Sequence, residues 1–424
     1  MKSRFSIFFL ALLMAFSTIL ITNDDVYASS RSKAKASKSK KPSVARGKGK
    51  PASNKYQARY KGRGGLRTRS IAYKRSVTRL TSVNNVLLSS TRSYIEQDDL
   101  SGEDLELRGA AVRVLGEHPA TVVIMDPNTG RVHTIVNQKW AVGKPVKPCS
   151  TIKLITSIAA LNEGLADPNY TTTIPGGGSI NMINALAYSN NEYFQLLGQH
   201  LGFDQMINYA RDWGLGSRTG INIDGESPGF LPDYKSPQAL PRMCSHGDDI
   251  GVTALQLAVL TSAIANGGKI YQPQILRTEA EKQNFKPVLL RKTILTQEDR
   301  EKLIEGMLGA VNYGTARRSG AAPLNVAGKT GSCNGEESKL GLFASFSSPD
   351  NPEMVVVVVS TGSGEKGSVS ADVAGQIYNQ IAHRLGKTKQ ARPFESNVEP
   401  SQRPRRVNPI DSTSIPIQDD DDDE

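Results

Sequence analysis

The 424-residue chain reads as a mixed α/β (α+β) protein. The expectation is a five-stranded antiparallel sheet flanked by helices, with a mostly helical subdomain inserted between the strands. Three observations predict it. Two β-rich runs lie together early, in ATVVIMDPNTGRVHTIV; helical patterns then dominate from Ser150 to about Gly268; three short β-rich runs follow in NVAGKTGSC, LGLFASFSS and EMVVVVVSTG. Strands grouped at the two ends of a domain, with helices between, pack as one sheet covered by helices.

The elements follow in order. EDLELRGAAVRVLG, from residue 103, places apolar residues at helical spacing. The D-P-N-T-G turn between the two early runs makes them a hairpin. A proline two residues before Ser150 and the apolar LITSIAALNEGL after it mark a loop becoming a helix. SADVAGQIYNQIAHRL closes the domain as an amphipathic helix, so order is expected over 103–386.

The ends are of another character. Residues 1–28 combine Lys2 and Arg4, the apolar run FSIFFLALLMAFSTILIT and VYA ending at Ala28. That is the pattern of an export signal, or of a retained anchor, because the apolar run is near the lower length for a membrane span. The expected location is periplasmic or elsewhere in the cell envelope. Residues 29–75 hold 17 Lys and Arg and no Asp or Glu. Without apolar periodicity, 29–102 is expected to be a basic, largely disordered extension. Its polycation suits anionic envelope polymers or a membrane surface; export argues against nucleic acid. Residues 387–424 read as a disordered tail that ends in six acidic residues, Asp419 to Glu424. The net charge of +11 therefore belongs to the extension, and 76–418 is near neutral.

Candidate chemistry begins at KPCSTIKLIT, where Ser150 and Lys153 stand three apart on one helix face. The spacing alone is weak: Ser30 with Lys33 and Ser37 with Lys40 repeat it in the basic extension. An N-cap serine beside a surface lysine is the commoner meaning of such a start. Two further motifs reverse that weighing. AYSNNEYF supplies Ser189 and Asn191 as S-x-N after an apolar helix, and VAGKTGSC supplies Lys329-Thr330-Gly331 on a strand. S-x-x-K, S-x-N and K-T-G together, in this chain order, are the signature of penicillin-binding proteins and serine β-lactamases. The five histidines are scattered, so neither a metal nor another cofactor is expected.

On these motifs the region from Pro119 to Leu385 resembles the transpeptidase domain of penicillin-binding proteins. WGLGSRTGINIDGESPGFLP and DDIGVTALQLAVLTSAIANGGKIYQPQI extend the likeness. The large N-terminal non-catalytic domain that many members carry is not expected here. The resemblance implies a serine D,D-transpeptidase acting on peptidoglycan stem peptides and acylated by β-lactams. It implies Ser150 as nucleophile, Lys153 as its base, kept neutral by burial among cations, and Ser189 as proton relay. Asn191 would bind the substrate amide and Lys153; Lys329 and Thr330 would bind the terminal carboxylate. The backbone N–H groups of Ser150 and Ser332 would form an oxyanion hole. Gly331, with Gly328, would leave room for substrate to lie as an extra strand.

Alternatives stay open at this stage. A D,D-carboxypeptidase would use water as acceptor. A β-lactamase or β-lactam sensor would share the acylation machinery, but Glu226 lacks an E-x-x-L-N context and Y-G-N is missing. A non-catalytic wall-binding protein is a further reading, opposed by the complete residue set. The cysteines are the departure from the family pattern. Some class A carbapenem-hydrolysing β-lactamases carry a bonded pair at the positions of Cys149 and Cys333. The resemblance thus implies a Cys149–Cys333 disulfide with Cys244 left free; two buried, reduced thiols are the alternative.

Overall fold

The computed structural model describes residues 82–386, apart from positions 169 and 337. The expected export segment, the 29–75 polycation and the acidic tail lie outside the described residues. A helix over 82–96, α1, comes first. It is followed by α2 (Leu105–Leu115), the hairpin β1 (Ala120–Met125) and β2 (Val132–Val136), and α3 (Gln138–Gly143). A 3-10 turn at Cys149–Ile152 runs into α4 (Lys153–Asn162). The helical subdomain continues through the small pair β3 (Thr172–Thr173) and β4 (Ser179–Ile180), then α5 (Met182–Ala187), α6 (Asn191–Leu201), α7 (Phe203–Asp212), α8 (Leu240–His246) and α9 (Ala254–Ala265). A second small pair, β5 (Lys269–Tyr271) and β6 (Leu289–Lys292), flanks α10 (Glu279–Asn284). The chain returns through α11 (Gln297–Asn312) to β7 (Val326–Asn334), β8 (Lys339–Ser347), β9 (Val355–Gly362) and α12 (Gly367–Gln380).

The main sheet has five strands in the order β2-β1-β9-β8-β7, each pair antiparallel. Its centre is the valine run of β9, buried at every position. Alternation along the strand divides that run between two cores. Val355, Val357 and Val359 pack with Ile155, Leu257 and the helical subdomain. Val356 and Val358 pack with Leu107 and Tyr378 of α2 and α12. A strand covered on both faces reads as a continuous apolar run, which is why β9 carries no polar alternation. Under the first face lies α9, apolar all round and buried at every residue, started by a Thr253–Gln256 capping box.

Order begins earlier than residue 103, which corrects the expected extent of the basic extension. Helix α1 and residues 98–103 are tied down by a buried ion cluster. Arg108 of α2 contacts Asp98 at 2.7 Å and Glu103 at 2.9 Å. Asp98 also accepts the backbone N–H of Asn137 and Gln138, and Glu103 that of Ile135. Single charges scattered through a polar stretch look solvated in sequence. Only the fold reveals that they converge, and buried charges persist when paired and hydrogen-bonded. At its start α1 is held by Asn84, whose amide donates to Ser363 Oγ at 2.7 Å and accepts the Ser363 N–H at 3.0 Å.

Candidate active site

The site lies where edge strand β7 faces the start of α4 and the α5–α6 loop. Successive side chains of β7 point to opposite faces of the sheet. Ala327, Lys329, Gly331 and Cys333 turn towards the 3-10 turn at Cys149–Ile152 and the helical subdomain, whereas Val326 and Gly328 turn towards the core under α12. Ser332 follows the second set, its Oγ accepting the N–H of Gly367 at the start of α12.

Lys153 is fully buried and Ser150 is 4% exposed. Lys153 Nζ stands 3.0 Å from Ser150 Oγ, 2.8 Å from the Ser189 carbonyl, 3.0 Å from Ser189 Oγ and 2.6 Å from Asn191 Oδ1. Lys329, also fully buried, donates to Ser189 Oγ at 2.9 Å and to the Thr330 carbonyl at 2.9 Å. Ser189 thus bridges two buried amines. The three motifs, spread from Ser150 to Gly331 in sequence, meet within direct hydrogen-bond distance. The backbone at two of these places is unusual: Cys149 has φ 48° and Ser189 φ 59°. Left-handed conformations at non-glycine residues cost on the order of 1–3 kcal/mol each and concentrate at functional sites. Asn190, one residue on, caps α6 through the N–H of Tyr193, which sets where Asn191 begins the helix.

Cys149 and Cys333 are bonded, with Cα atoms 5.7 Å apart. The bond joins the residue before Ser150 to β7 just beyond Ser332. Cys244 is a free, fully buried thiol, and burial holds it well above the usual thiol range. The two glycines serve a purpose other than the one expected of them. A Cβ on Gly331 would sit 3.1 Å from the Pro148 carbonyl and 3.3 Å from Cys149 Cβ; one on Gly328 would strike the Phe343 ring at 2.3 Å. Their missing side chains admit the turn that carries Ser150 and the protein's own core. Among the described residues the outer edge of β7 has no neighbouring strand, since β7 ends the sheet.

One contributor escapes sequence reasoning. Thr330 Oγ1 donates to Thr315 Oγ1 at 2.6 Å, and the Thr315 N–H is held by the Ala187 carbonyl at 3.2 Å. The loop after α11 therefore links K-T-G to the S-x-N segment. Gly314 makes the crossing possible, because a Cβ there would meet the Ala187 carbonyl oxygen at 2.1 Å. No spacing connects Y-G-T at 313–315 with the other motifs, so only tertiary structure exposes it. Glu226 is occupied in its own loop: Oε1 accepts the Thr219 N–H and hydroxyl, both at 2.6 Å, and Oε2 the Gly220 N–H at 3.1 Å. Among the described residues no cluster of three or more His, Cys, Asp or Glu could hold a metal.

The family model for the penicillin binding protein transpeptidase domain matches residues 120–381. The chain belongs to that family. Stage V sporulation protein D of Bacillus subtilis is 26% identical over 315 residues, covering 66% of this chain and 47% of the relative. Peptidoglycan D,D-transpeptidase MrdA of Acinetobacter baumannii is 26% identical over 357 residues, covering 65% and 52%. The chain thus spans about half the length of these curated relatives. In fold it is similar to Pseudomonas aeruginosa PBP2 in complex with WCK 5153, with TM-score 0.62 and 23% identity over 69% of this chain and 80% of the other. It is also similar to the D,D-transpeptidase domain of a peptidoglycan glycosyltransferase from Eggerthella lenta, with TM-score 0.59 and 22% identity over 67% and 82%.

Proposed function

We propose that the chain is a serine D,D-transpeptidase that acts on peptidoglycan stem peptides through an acyl-enzyme on Ser150, and that β-lactams acylate the same serine. The observation that carries this reading is the set of four oxygens around Lys153 Nζ. An ammonium has three hydrogens to give and no lone pair. A neutral amine can give two and accept one, and Ser150 is the neighbour whose proton must leave. Two ammonium groups sharing the Ser189 hydroxyl would repel each other away from water, which favours one neutral partner.

The steps follow from these contacts. Ser150 Oγ attacks the carbonyl of the penultimate D-Ala as its proton passes to Lys153. The negative charge on the carbonyl oxygen is met by the Ser150 and Ser332 N–H groups. The C–N bond to the terminal D-Ala breaks, and the leaving nitrogen takes a proton through Ser189. Lys329 supplies charge for the terminal carboxylate. Of the two hydroxyls at Thr330 and Thr315, one hydrogen is spent between them, which leaves the other for the carboxylate. Asn191 holds both Lys153 and the substrate amide. An amine from a second stem then attacks the ester, and Ser150 regains its proton.

Water in place of the amine would make the same site a D,D-carboxypeptidase. Fast hydrolysis needs a base aimed at water, and Glu226 is tied to Thr219 and Gly220 instead. That opposes a hydrolytic β-lactamase. Cell-envelope location and a tethering role for the 29–75 polycation complete the proposal. No helix among the described residues is long and apolar enough to cross a membrane. The test is a donor peptide ending in D-Ala-D-Ala, supplied with and without a free-amine acceptor and followed by mass spectrometry. Ligated product is expected with acceptor present. Hydrolysis alone at saturating acceptor would contradict transpeptidation.

A further inference from the structure

The loop between β9 and α12 ends against K-T-G. Gly367, the first residue of α12, donates its N–H to Ser332 Oγ at 2.9 Å. It packs so close that a Cβ there would sit 2.8 Å from the Gly331 carbonyl oxygen and 2.8 Å from Thr330 Cβ. The stretch of β7 at Ser332 is therefore held from one face by the Cys149–Cys333 bond and from the other by this loop. Two ties on the loop reach outside the region that matches the family, residues 120–381. Asn84 of α1 donates its amide to Ser363 Oγ at 2.7 Å and accepts the Ser363 N–H at 3.0 Å. His118, between α2 and β1, has Nδ1 2.8 Å from Glu365 Oε1. Glu365 is 7% exposed, and its Oε2 is buried without a hydrogen-bond partner among the described residues. A carboxylate so placed depends on its cationic partner.

The other charges around His118 are Asp372 of α12, which also favours its protonation, and Glu117, which is turned to Arg92 of α1 at 3.1 Å. Between α1 and the loop lies a cavity of about 590 Å³, lined among others by Asn84, Leu88, His118, Ser363 and Glu365. Close packing is interrupted there, so polar contacts rather than packed side chains fix the loop against α1. We propose that Asn84 and His118 are positioning residues for the oxyanion hole: they pin the β9–α12 loop, the loop holds Ser332, and the Ser332 N–H meets the charge on the reacting carbonyl. Helix α1 thus serves the reaction without touching substrate. The inference rests on the acyl-enzyme reading and deepens it. Its signature is a dependence on pH. Glu365 raises His118 above its ordinary 6.5, so the tie is fully present below pH 6.5 and is lost as pH rises through the raised value.

The experiment measures two constants for penicillin across that range: the dissociation constant of the first complex and the rate of acylation within it. It uses the full chain and the variants His118→Gln, Asn84→Ala and Asn84→Asp. A loosened oxyanion hole weakens the transition state and spares the first complex. At about pH 6, His118→Gln should acylate about tenfold more slowly, short of the hundredfold or more that follows loss of an oxyanion donor itself, with the dissociation constant unchanged. That deficit should shrink towards nothing as pH rises. Asn84→Ala should be slowed by a similar factor at every pH. Asn84→Asp, which still accepts the Ser363 N–H, should recover most of the rate. A wild-type acylation rate at about pH 6 in either His118→Gln or Asn84→Ala would overturn the proposal. So would a His118→Gln deficit equal at every pH, or one confined to the dissociation constant. Should His118→Gln not fold, the Asn84 variants decide, and a rate that Asn84→Asp fails to recover would overturn it. No adduct on the folded wild type would instead remove the acyl-enzyme reading, and this inference with it.

Discussion

At the scale of single residues, the site is made from groups denied water. Lys153 and Lys329 are fully buried, and the amine of each is hydrogen-bonded to oxygen. Burial acts on two histidines as well. It pushes His133 down to about 4 and His246 down to about 3. The sign follows from linkage. The unfolded chain protonates each imidazole near 6.5, before the folded protein does. Both therefore contribute stability that is complete above pH 6.5 and lost as pH falls towards their folded values. His118 works in the opposite direction, since Glu365 raises it. Replacing His133 by Gln should flatten the loss of stability between pH 6.5 and 4 by on the order of 2 kcal/mol. Urea denaturation of both proteins across that range checks it; parallel curves would show that His133 contributes no pH dependence.

At the scale of elements, two ties decide whether the site is assembled. The first is the Cys149–Cys333 bond between the catalytic turn and β7, closing a sequence separation of 184. A loop of that length corresponds to at most about 5 kcal/mol on the chain-entropy account, and less after native strain is discounted. A Cys149→Ala/Cys333→Ala double variant should melt lower and acylate more slowly. Unchanged acylation at a lowered Tm would limit the bond to stability. The second tie is Arg108, which anchors the α1 segment. Arg108→Met would leave Asp98 and Glu103 buried without their cation and should cost about 3–5 kcal/mol. Chemical denaturation reads this directly, and a loss under 1 kcal/mol would mean that the cluster is not what holds the segment.

These elements also explain what could be read from sequence. S-x-x-K, S-x-N and K-T-G are each short and local, and each sits on a helix start, a loop or a strand whose pattern is plain. The central strand β9 announces itself through five consecutive valines. Thr315, the Arg108 cluster and helix α1 do not, because their meaning arises only from partners far away in the chain. Gly331 and Gly328 were legible as necessary glycines, but the atoms that require their bareness belong to Pro148 and Phe343.

At the scale of the whole molecule, charge and chemistry are separated along the chain. Residues 76–418 are near neutral, while 17 basic residues without an acidic one occupy 29–75. Removing 29–75 should leave acylation rates intact and weaken retention on vesicles rich in anionic lipid, with the difference shrinking as salt screens the attraction. Equal, salt-independent retention of both proteins would contradict an electrostatic tether. The central claim concerns Ser150, and one measurement reaches it most directly: intact-mass and peptide-mapping mass spectrometry of the full chain after exposure to labelled penicillin. The account predicts one adduct per chain, located on Ser150, absent from Ser150→Ala and nearly abolished in Lys153→Ala. A folded wild-type protein that takes no label, or takes it on another residue, would contradict it.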